Sequence, residues 1–171
     1  MDNIRFREVQ KFRQTWIWIT VILASGGWLY MLIDQVILGN QLTKDPVNAW
    51  TTIVAGIIPL FIALIFWKMG LVIEVTQDRL RYRFSLLQRK FRELTPREIE
   101  KYEIRQYKPI GEYGGWGIRI GRGKRGNAYN VRGNLGMQLY LSNGKKFLLG
   151  TQQPEPFKKA MDSMMQDEKQ K

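Results

Sequence analysis

The sequence predicts an α+β membrane protein in which two apolar helices precede an antiparallel β domain closed by a C-terminal helix. Residues 16–33 and 50–67 each form an uncharged apolar stretch of about 18 residues. Short β-type runs bounded by turn residues fill most of the chain after residue 70. After Pro154, apolar residues recur at helical spacing. These three patterns define the predicted architecture.

The composition excludes most catalytic chemistry. The chain has 171 residues, no cysteine and no histidine, a length that suits one modest domain plus a small addition. The missing residue types rule out disulfides and thiol nucleophiles, and they remove the commonest general base and metal ligand. We therefore predict no catalytic residue, no metal site and no cofactor, and expect a protein that is not an enzyme.

The two apolar stretches are long enough to cross a bilayer. About 20 helical residues span a hydrocarbon core of about 30 Å. With flanking residues, 15–38 and 50–69 are predicted transmembrane helices joined by a short external loop, 39–49. The first stretch is too long for the core of a cleaved signal peptide. Tryptophans, which favour the membrane interface, mark the ends of both stretches: Trp16, Trp18, Trp50 and Trp67.

The charges outside these stretches predict the orientation. The N-terminal segment 1–14 is basic, the loop carries only Lys44 and Asp45, and the chain after Trp67 has 22 basic against 11 acidic residues. Because positive charge stays on the cytoplasmic side, both termini are expected in the cytoplasm. The protein is then a multi-pass protein of the cytoplasmic (inner) membrane.

Four residues in the apolar stretches predict local features. Asp34 is the only acidic residue in or beside them, and its place near the outer helix end predicts an interfacial position. Pro59 predicts a kink, because its ring removes a helical hydrogen bond. Gly26 and Gly27 predict a close approach of a neighbouring helix, either the second helix or another copy of the chain.

The region 70–166 reads as strands and one closing helix. β-type runs lie at 71–76, 79–84, 89–94, 99–107 (strand or partly helical), 116–120, 137–141 and 146–149. Asn143-Gly144 suits the tight turn of the last hairpin. The tail 167–171 is polar and expected to fray. One apolar stripe predicts the helix: Phe157, Ala160, Met161, Met164 and Met165.

This order of elements resembles that of bacterial membrane proteins with a pleckstrin-homology-like (PH-like) domain. The late motif is Tyr129-Asn130-Val131, Gly133, Gly136-Met137-Gln138-Leu139, Asn143-Gly144, Gly150-Thr151 and Pro154. The resemblance implies a PH-like antiparallel β-barrel or sandwich capped by the C-terminal helix. Eukaryotic PH domains often bind phosphoinositides around their first hairpin. Here the first turn, 76–79, is too short for a deep headgroup loop, so specific inositide binding is not expected.

Two groups of cations are candidate contacts for anionic lipid headgroups or an acidic partner. Strict alternation over 79–84 places Arg79, Arg81 and Arg83 on one face of a strand, with Arg89, Lys90 and Arg92 following. The second group lies in the glycine-rich segment 111–136, predicted to be a long mobile hairpin loop. Its cations are Arg119, Arg122, Lys124, Arg125 and Arg132.

Alternative readings of these charges are weaker. No helical pattern follows the glycines, as a phosphate-cradling loop requires, and a membrane anchor disfavours nucleic-acid binding. Glu98, Glu100 and Glu103 suggest an acid–base pair, but their neighbours favour surface ion pairs: Arg97, Lys101 and Arg105.

The predicted function is therefore a non-enzymatic, membrane-anchored PH-like module. It contacts anionic headgroups, a protein partner, or both, from the cytoplasmic face. The alternative is an accessory subunit of a larger membrane complex, bound through the two helices. A homo-oligomer is a further alternative that the sequence leaves open. A fragment beginning at Leu71 is expected to bind anionic vesicles at low salt and to release at high salt.

Overall fold

The computed structural model describes residues 3–34, 49–121 and 126–170, and it divides the chain into two compact units. One unit comprises Met1–Phe12 with Met69–Lys171, and the other comprises Arg13–Lys68. Over the described residues the protein is α+β, with two sheets and four helices. The strands are β1 (Ile4–Lys11), β2 (Gly70–Thr76), β3 (Leu80–Ser85), β4 (Arg92–Leu94), β5 (Ile99–Gln106), β6 (Gly117–Arg119), β7 (Asn127–Asn130), β8 (Leu135–Leu141) and β9 (Lys146–Gly150). The helices are α1 (Thr15–Leu32), α2 (Ala49–Lys68), α3 (Pro109–Tyr113) and α4 (Pro154–Lys169).

The N-terminal segment differs from its prediction as a basic extension. Residues 4–11 form β1, which pairs antiparallel with β2 in a four-stranded sheet of order β1-β2-β3-β4. The sequence pattern hides this strand, because its buried face carries Glu8 and Gln10 beside Phe6. A strand with polar residues on its inner face lacks the apolar alternation by which strands are recognised.

Hydrogen bonds explain why polar residues occupy the inner face of β1. Glu8 accepts hydrogen bonds from Thr151 Oγ1 at 2.6 Å and from the backbone N–H of Gln152 at 2.7 Å. Gln10 Nε2 donates to the carbonyl of Gly150 at 2.6 Å. Buried polar groups require such partners, so β1 is held to the segment between β9 and α4.

The helical unit is an insertion between two neighbouring strands. Lys11, the last residue of β1, pairs with Gly70, the first residue of β2. Gly70 also pairs with Ser85 at the end of β3. The chain therefore leaves the β unit at the end of β1 and returns to it at the neighbouring start of β2.

The second sheet has the order β5-β8-β9-β7-β6, and it differs from the predictions in three respects. No strand of one sheet pairs with a strand of the other in the described ranges, so the two sheets do not form a closed barrel, one of the two forms that were expected. The pair β7–β9 is parallel, whereas the domain was expected to be antiparallel throughout. The glycine-rich segment 111–136 was predicted as a long hairpin loop apart from the β-type run 116–120. It contains the end of α3, β6 within that run, and β7, which pairs with β9.

Aromatic side chains fill the space between the sheets. The Tyr82 ring lies 5.1 Å from that of Tyr129 and 5.3 Å from that of Phe147, between ring centroids. Burial raises the pKa of Tyr82 to about 12, because the low-dielectric interior disfavours the phenolate. The predicted alternation of β3 is present, with Leu80, Tyr82 and Phe84 inside.

Helix α4 covers this core with the apolar stripe expected from its sequence. Phe157, Ala160, Met161 and Met164 are buried, and the Phe157 ring stacks on that of Phe6 at 5.1 Å. The tail 167–171 was predicted to fray, but its residues 167–169 belong to α4, which continues to Lys169. Ion pairs from elsewhere in the unit hold its last turns, joining Arg5 to Asp167 and Arg97 to Glu168.

The helical unit consists of α1 and α2. In the described part of the chain one helix, Thr15–Leu32, is long and apolar enough to cross a membrane, with a mean hydropathy of 1.4 and 6% of its residues buried. The predicted continuation of the first helix over 35–38, residues 39–48 of the external loop and the Trp50 side chain lie outside the described residues. Trp18 and Trp67 meet edge to face, with ring centroids 6.0 Å apart.

The glycine that allows close helix contact is not one of those predicted. Side-chain atoms built at Gly26 or Gly27 would meet nothing within 4 Å, whereas a Cβ at Gly56 would overlap the indole of Trp28. Gly56 thus gives the bulky Trp28 ring the space it needs between the helices.

The position of β1 shows what the fragment from Leu71, for which vesicle binding was expected, would lack. A chain of residues 69–171 lacks β1 and exposes the edge of β2, so we expect it to aggregate or to unfold without cooperativity. Residues 1–12 joined to 69–171 through Asn-Gly should fold, because Lys11 and Gly70 are already paired. Thermal unfolding by circular dichroism compares the two. A cooperative transition of equal midpoint in both would contradict this account.

Candidate lipid-facing site

The first candidate group is the outer face of β3 and the turns at its ends. The exposure of its side chains alternates, so Arg81 and Arg83 lie on the face away from the core, with Arg79 just before the strand. The structure thus places Arg81 and Arg83 on one face of β3, as the alternation predicts, whereas Arg79 belongs to the preceding turn. Their charges, however, are compensated to different degrees.

Arg79 and Arg81 are bound to carboxylates of their own sheet. Arg79 contacts Asp78 Oδ2 and Glu93 Oε2, each at 2.7 Å, and Arg81 Nε lies 3.1 Å from Glu93 Oε1. Hydrogen bonds from the Arg79 guanidinium and then from Thr76 lower the pKa of Asp78 to about 2. These arginines therefore present little uncompensated charge to a lipid.

Arg79 also lies far from the edge at which the helices join. It closes the turn between β2 and β3, where its carbonyl accepts a hydrogen bond from Thr76 N at 2.9 Å. Strand β2 separates this turn from Gly70 by about 20 Å at about 3.3 Å per residue. Arg79 therefore lies at the end of the sheet opposite to Gly70, the residue at which the chain enters β2.

Arg83 is closer to that edge and less compensated. Its guanidinium carbon lies 4.6 Å from the centre of the Phe91 ring, a cation–π contact. Its Nε atom is buried and has no hydrogen-bond partner among the described residues. Arg83 pairs in register with Val72, two residues from the start of β2.

The turn from β3 to β4 carries the residues nearest that edge. Ser85 pairs with Gly70, and the exposed side chains of Leu86, Leu87, Arg89 and Lys90 follow it. Sequence reasoning placed Arg89 and Lys90 near the anchor but did not single out the two leucines. The sequence did offer a signal for this site. Two leucines, Leu86 and Leu87, stand beside two cations in a connection between strands, where residues are usually polar.

The second candidate group does not form one cationic tip in the described part of the chain. Arg119 Nε donates to the Trp116 carbonyl at 2.9 Å, and Arg132 Nε donates to Gln152 Oε1 at 2.9 Å. Arg122, Lys124 and Arg125 lie outside the described residues.

Arg119 lines a crevice of about 590 Å³ between α3 and β6. The crevice also holds Glu112, whose carboxylate is 3.0 Å from Arg105 Nη1, and the exposed Ile110 and Ile120. Its one lining carboxylate is engaged in an ion pair and its cation is held by a backbone carbonyl. This mixed lining can accept a small polar group but provides no nucleophile or acid–base pair.

Two of the three carboxylates considered for acid–base chemistry, Glu98 and Glu103, are bound to neighbouring groups. Glu98 caps the 3₁₀ turn Pro96–Glu98, and hydrogen bonds from Thr95 lower its pKa. Glu103 contacts Lys101 Nζ at 2.9 Å, and hydrogen bonds from Lys101 and then Tyr140 lower its pKa. A catalytic acid requires the opposite shift. The described residues hold no group of three or more acidic side chains able to bind a metal ion.

Comparison with known proteins does not supply a relative. No model of a known protein family matches this chain, and no curated protein matches it significantly. Function therefore has to be argued from the residues and their arrangement.

The binding of Arg79 to Asp78 predicts a pH dependence. Because the folded-state pKa of Asp78 is below its ordinary value of 3.8, its contribution to stability is present above pH 3.8 and is lost as the pH falls through about 2. Carbon NMR should show Asp78 titrating near 2, and Arg79→Leu should move that pKa toward 3.8. The matched Arg119→Leu variant should leave it unchanged. Titration at 3.8 in the unmodified protein would refute the ion pair.

Proposed function

We propose that this protein is a non-enzymatic, membrane-anchored PH-like module. Both helices span the cytoplasmic membrane, and the β unit lies on the cytoplasmic side, where it contacts anionic lipid headgroups and can bring a protein partner to them. The observation that carries the proposal is the insertion of two exposed apolar helices between the paired strands β1 and β2.

The surface of the helices supports a membrane environment. Large apolar side chains are exposed along both of them, including Ile22, Leu23, Ile57, Phe61 and Trp67. A helix that is apolar on all sides requires a hydrocarbon solvent or extensive burial in protein. At 1.5 Å per residue, α1 is about 27 Å long and α2 about 30 Å, close to the hydrocarbon thickness of a bilayer.

The pairing of β1 with β2 supports two crossings. One crossing would place Lys11 and Gly70 on opposite sides of the membrane, which their pairing in one sheet excludes. The helices therefore cross together or do not cross. The 22 basic residues after Trp67 favour the cytoplasmic side for the β unit.

The order of strands supports the PH-like part of the proposal. The strands β1–β4 form an antiparallel meander, and β5, β8 and β9 form a second one that leads into α4. These seven strands and one closing helix follow the order expected of a PH-like sandwich. The α1–α2 pair and the segment α3-β6-β7 are then two insertions into that order.

The proposed topology is testable by labelling, since the chain has no native cysteine. Single variants Asn3→Cys and Gln170→Cys should react with an impermeant maleimide in inside-out vesicles but not in intact spheroplasts. Thr43→Cys should show the reverse. Labelling of positions 3 and 170 from different sides, or release of the protein by alkaline carbonate, would contradict the proposal.

A second candidate function is an accessory subunit that binds a partner through the helices. An apolar groove of about 720 Å³ runs between α1 and α2. In a bilayer it would accept an apolar helix of a partner subunit, because small residues let backbones approach closely. The groove is lined by Leu23, Ala24, Gly27, Trp28, Met31, Thr51, Ala55, Ile58, Pro59 and Ile62.

Filling this groove tests the second candidate. We expect Gly27→Leu to reduce at least tenfold the amount of any stoichiometric membrane partner that copurifies in mild detergent. Gly26→Leu is the matched control, because Gly26 does not line the groove. Mass spectrometry of both purified complexes measures the ratio. Equal recovery of partner with both variants would dismiss the groove as its binding site.

A further inference from the structure

The turn between β3 and β4 exposes apolar and basic side chains together. Leu86 is 52% exposed and Leu87 is 60% exposed. Arg89 and Lys90 are exposed as well, and neither forms an ion pair with a described residue, in contrast to Arg79 and Arg81. Apolar side chains next to uncompensated cations suit the interface of an anionic membrane.

The backbone of this turn is strained at Leu86, whose side chain is exposed. Leu86 has φ of 78°, the only positive φ at a non-glycine residue in the described ranges. Such a conformation is costly for a bulky residue and common for glycine. Hydrogen bonds between Phe84 and Gln88 hold it, with Gln88 N donating to the Phe84 carbonyl at 2.8 Å and Phe84 N donating to Gln88 Oε1 at 3.1 Å. Core packing does not explain a leucine here, because its side chain is exposed.

The register of the sheet places the turn at the edge where the helices join. Ser85 pairs with Gly70, which in turn pairs with Lys11. The Ser85 hydroxyl also donates to the Gly70 carbonyl at 3.1 Å. Ser85 therefore lies beside the residue at which the chain, coming from α2, enters β2. Leu86 is the next residue after Ser85. Any membrane that contains the helices begins within a few residues of this edge.

We propose that the turn 86–90 is a lipid-contact site of this protein. Leu86 and Leu87 enter the interfacial layer of the leaflet, and Arg89 and Lys90 bind the phosphates of anionic headgroups. This inference rests on the proposed membrane location and names the surface that makes the contact. The proposed site therefore does not include Arg79, which lies at the far end of β2. It lies at the end of the sheet where β2 begins and β3 ends.

A fluorescence experiment on the full-length protein in lipid nanodiscs tests the site. Because the chain has no cysteine, Leu87→Cys takes a single environment-sensitive label. Gln77→Cys, exposed in the turn between β2 and β3, is the matched control at the opposite end of the same sheet. In nanodiscs with one third phosphatidylglycerol, headgroup-region spin labels should quench the probe at position 87 at least threefold more than the probe at position 77.

Two further variants separate lipid contact from a structural role. Arg89→Gln with Lys90→Gln should reduce the quenching in anionic nanodiscs and leave it unchanged in purely phosphatidylcholine nanodiscs. Leu86→Gly should reduce the quenching of the probe at position 87, while the melting temperature stays the same or rises because glycine tolerates the positive φ. A leucine retained for folding would instead lower the melting temperature.

The outcomes distinguish this inference from the proposed function. Equal quenching at positions 77 and 87 in a protein with the expected maleimide topology would overturn the lipid-contact site and leave the anchoring intact. Failure of the chain to enter nanodiscs at all would overturn both. A probe signal that depends on protein concentration and not on lipid composition would assign the turn to a protein contact and refute the lipid site.

Discussion

The pairing of β1 with β2 across the helical insertion is the constraint on which the rest of the structure depends. It brings residues separated by the whole helical unit into one register, so that Lys11 and Gly70 lie side by side. The cost of closing such a loop grows only slowly with its length. Polar contacts of Glu8 and Gln10 with the segment after β9, and the stacking of Phe6 on Phe157, stabilise the strand that makes this closure possible.

This constraint also selects which cations are available for a ligand. Within the β unit, Arg5, Arg79, Arg81 and Arg105 are bound to carboxylates, so a high net charge does not translate into a uniformly basic surface. The cations without such partners include Arg89 and Lys90 at the edge where the chain enters the helices. Local compensation and not total charge therefore decides where an anionic membrane would be bound.

Within the helical unit, one side chain decides the packing. Gly56 leaves room for the Trp28 indole, and the groove beside this contact is lined by small and apolar residues. Gly26 and Gly27 do not make the contact with the second helix, because small residues alone do not identify which face of a helix meets its neighbour; contact with another copy of the chain stays a prediction. The position of the bulky partner ring is a tertiary property.

Sequence patterns by themselves determined the apolar helices, the alternation of β3, the last hairpin and the stripe of α4, because each of these follows from local periodicity. Tertiary structure alone decided the rest. Strand β1 is built around buried Glu8 and Gln10, whose partners lie about 140 residues away, and β7 pairs parallel with β9 through a non-local contact. The turn 86–90 gains its significance from register, since only the pairing of Ser85 with Gly70 shows that the turn follows a residue beside the start of β2.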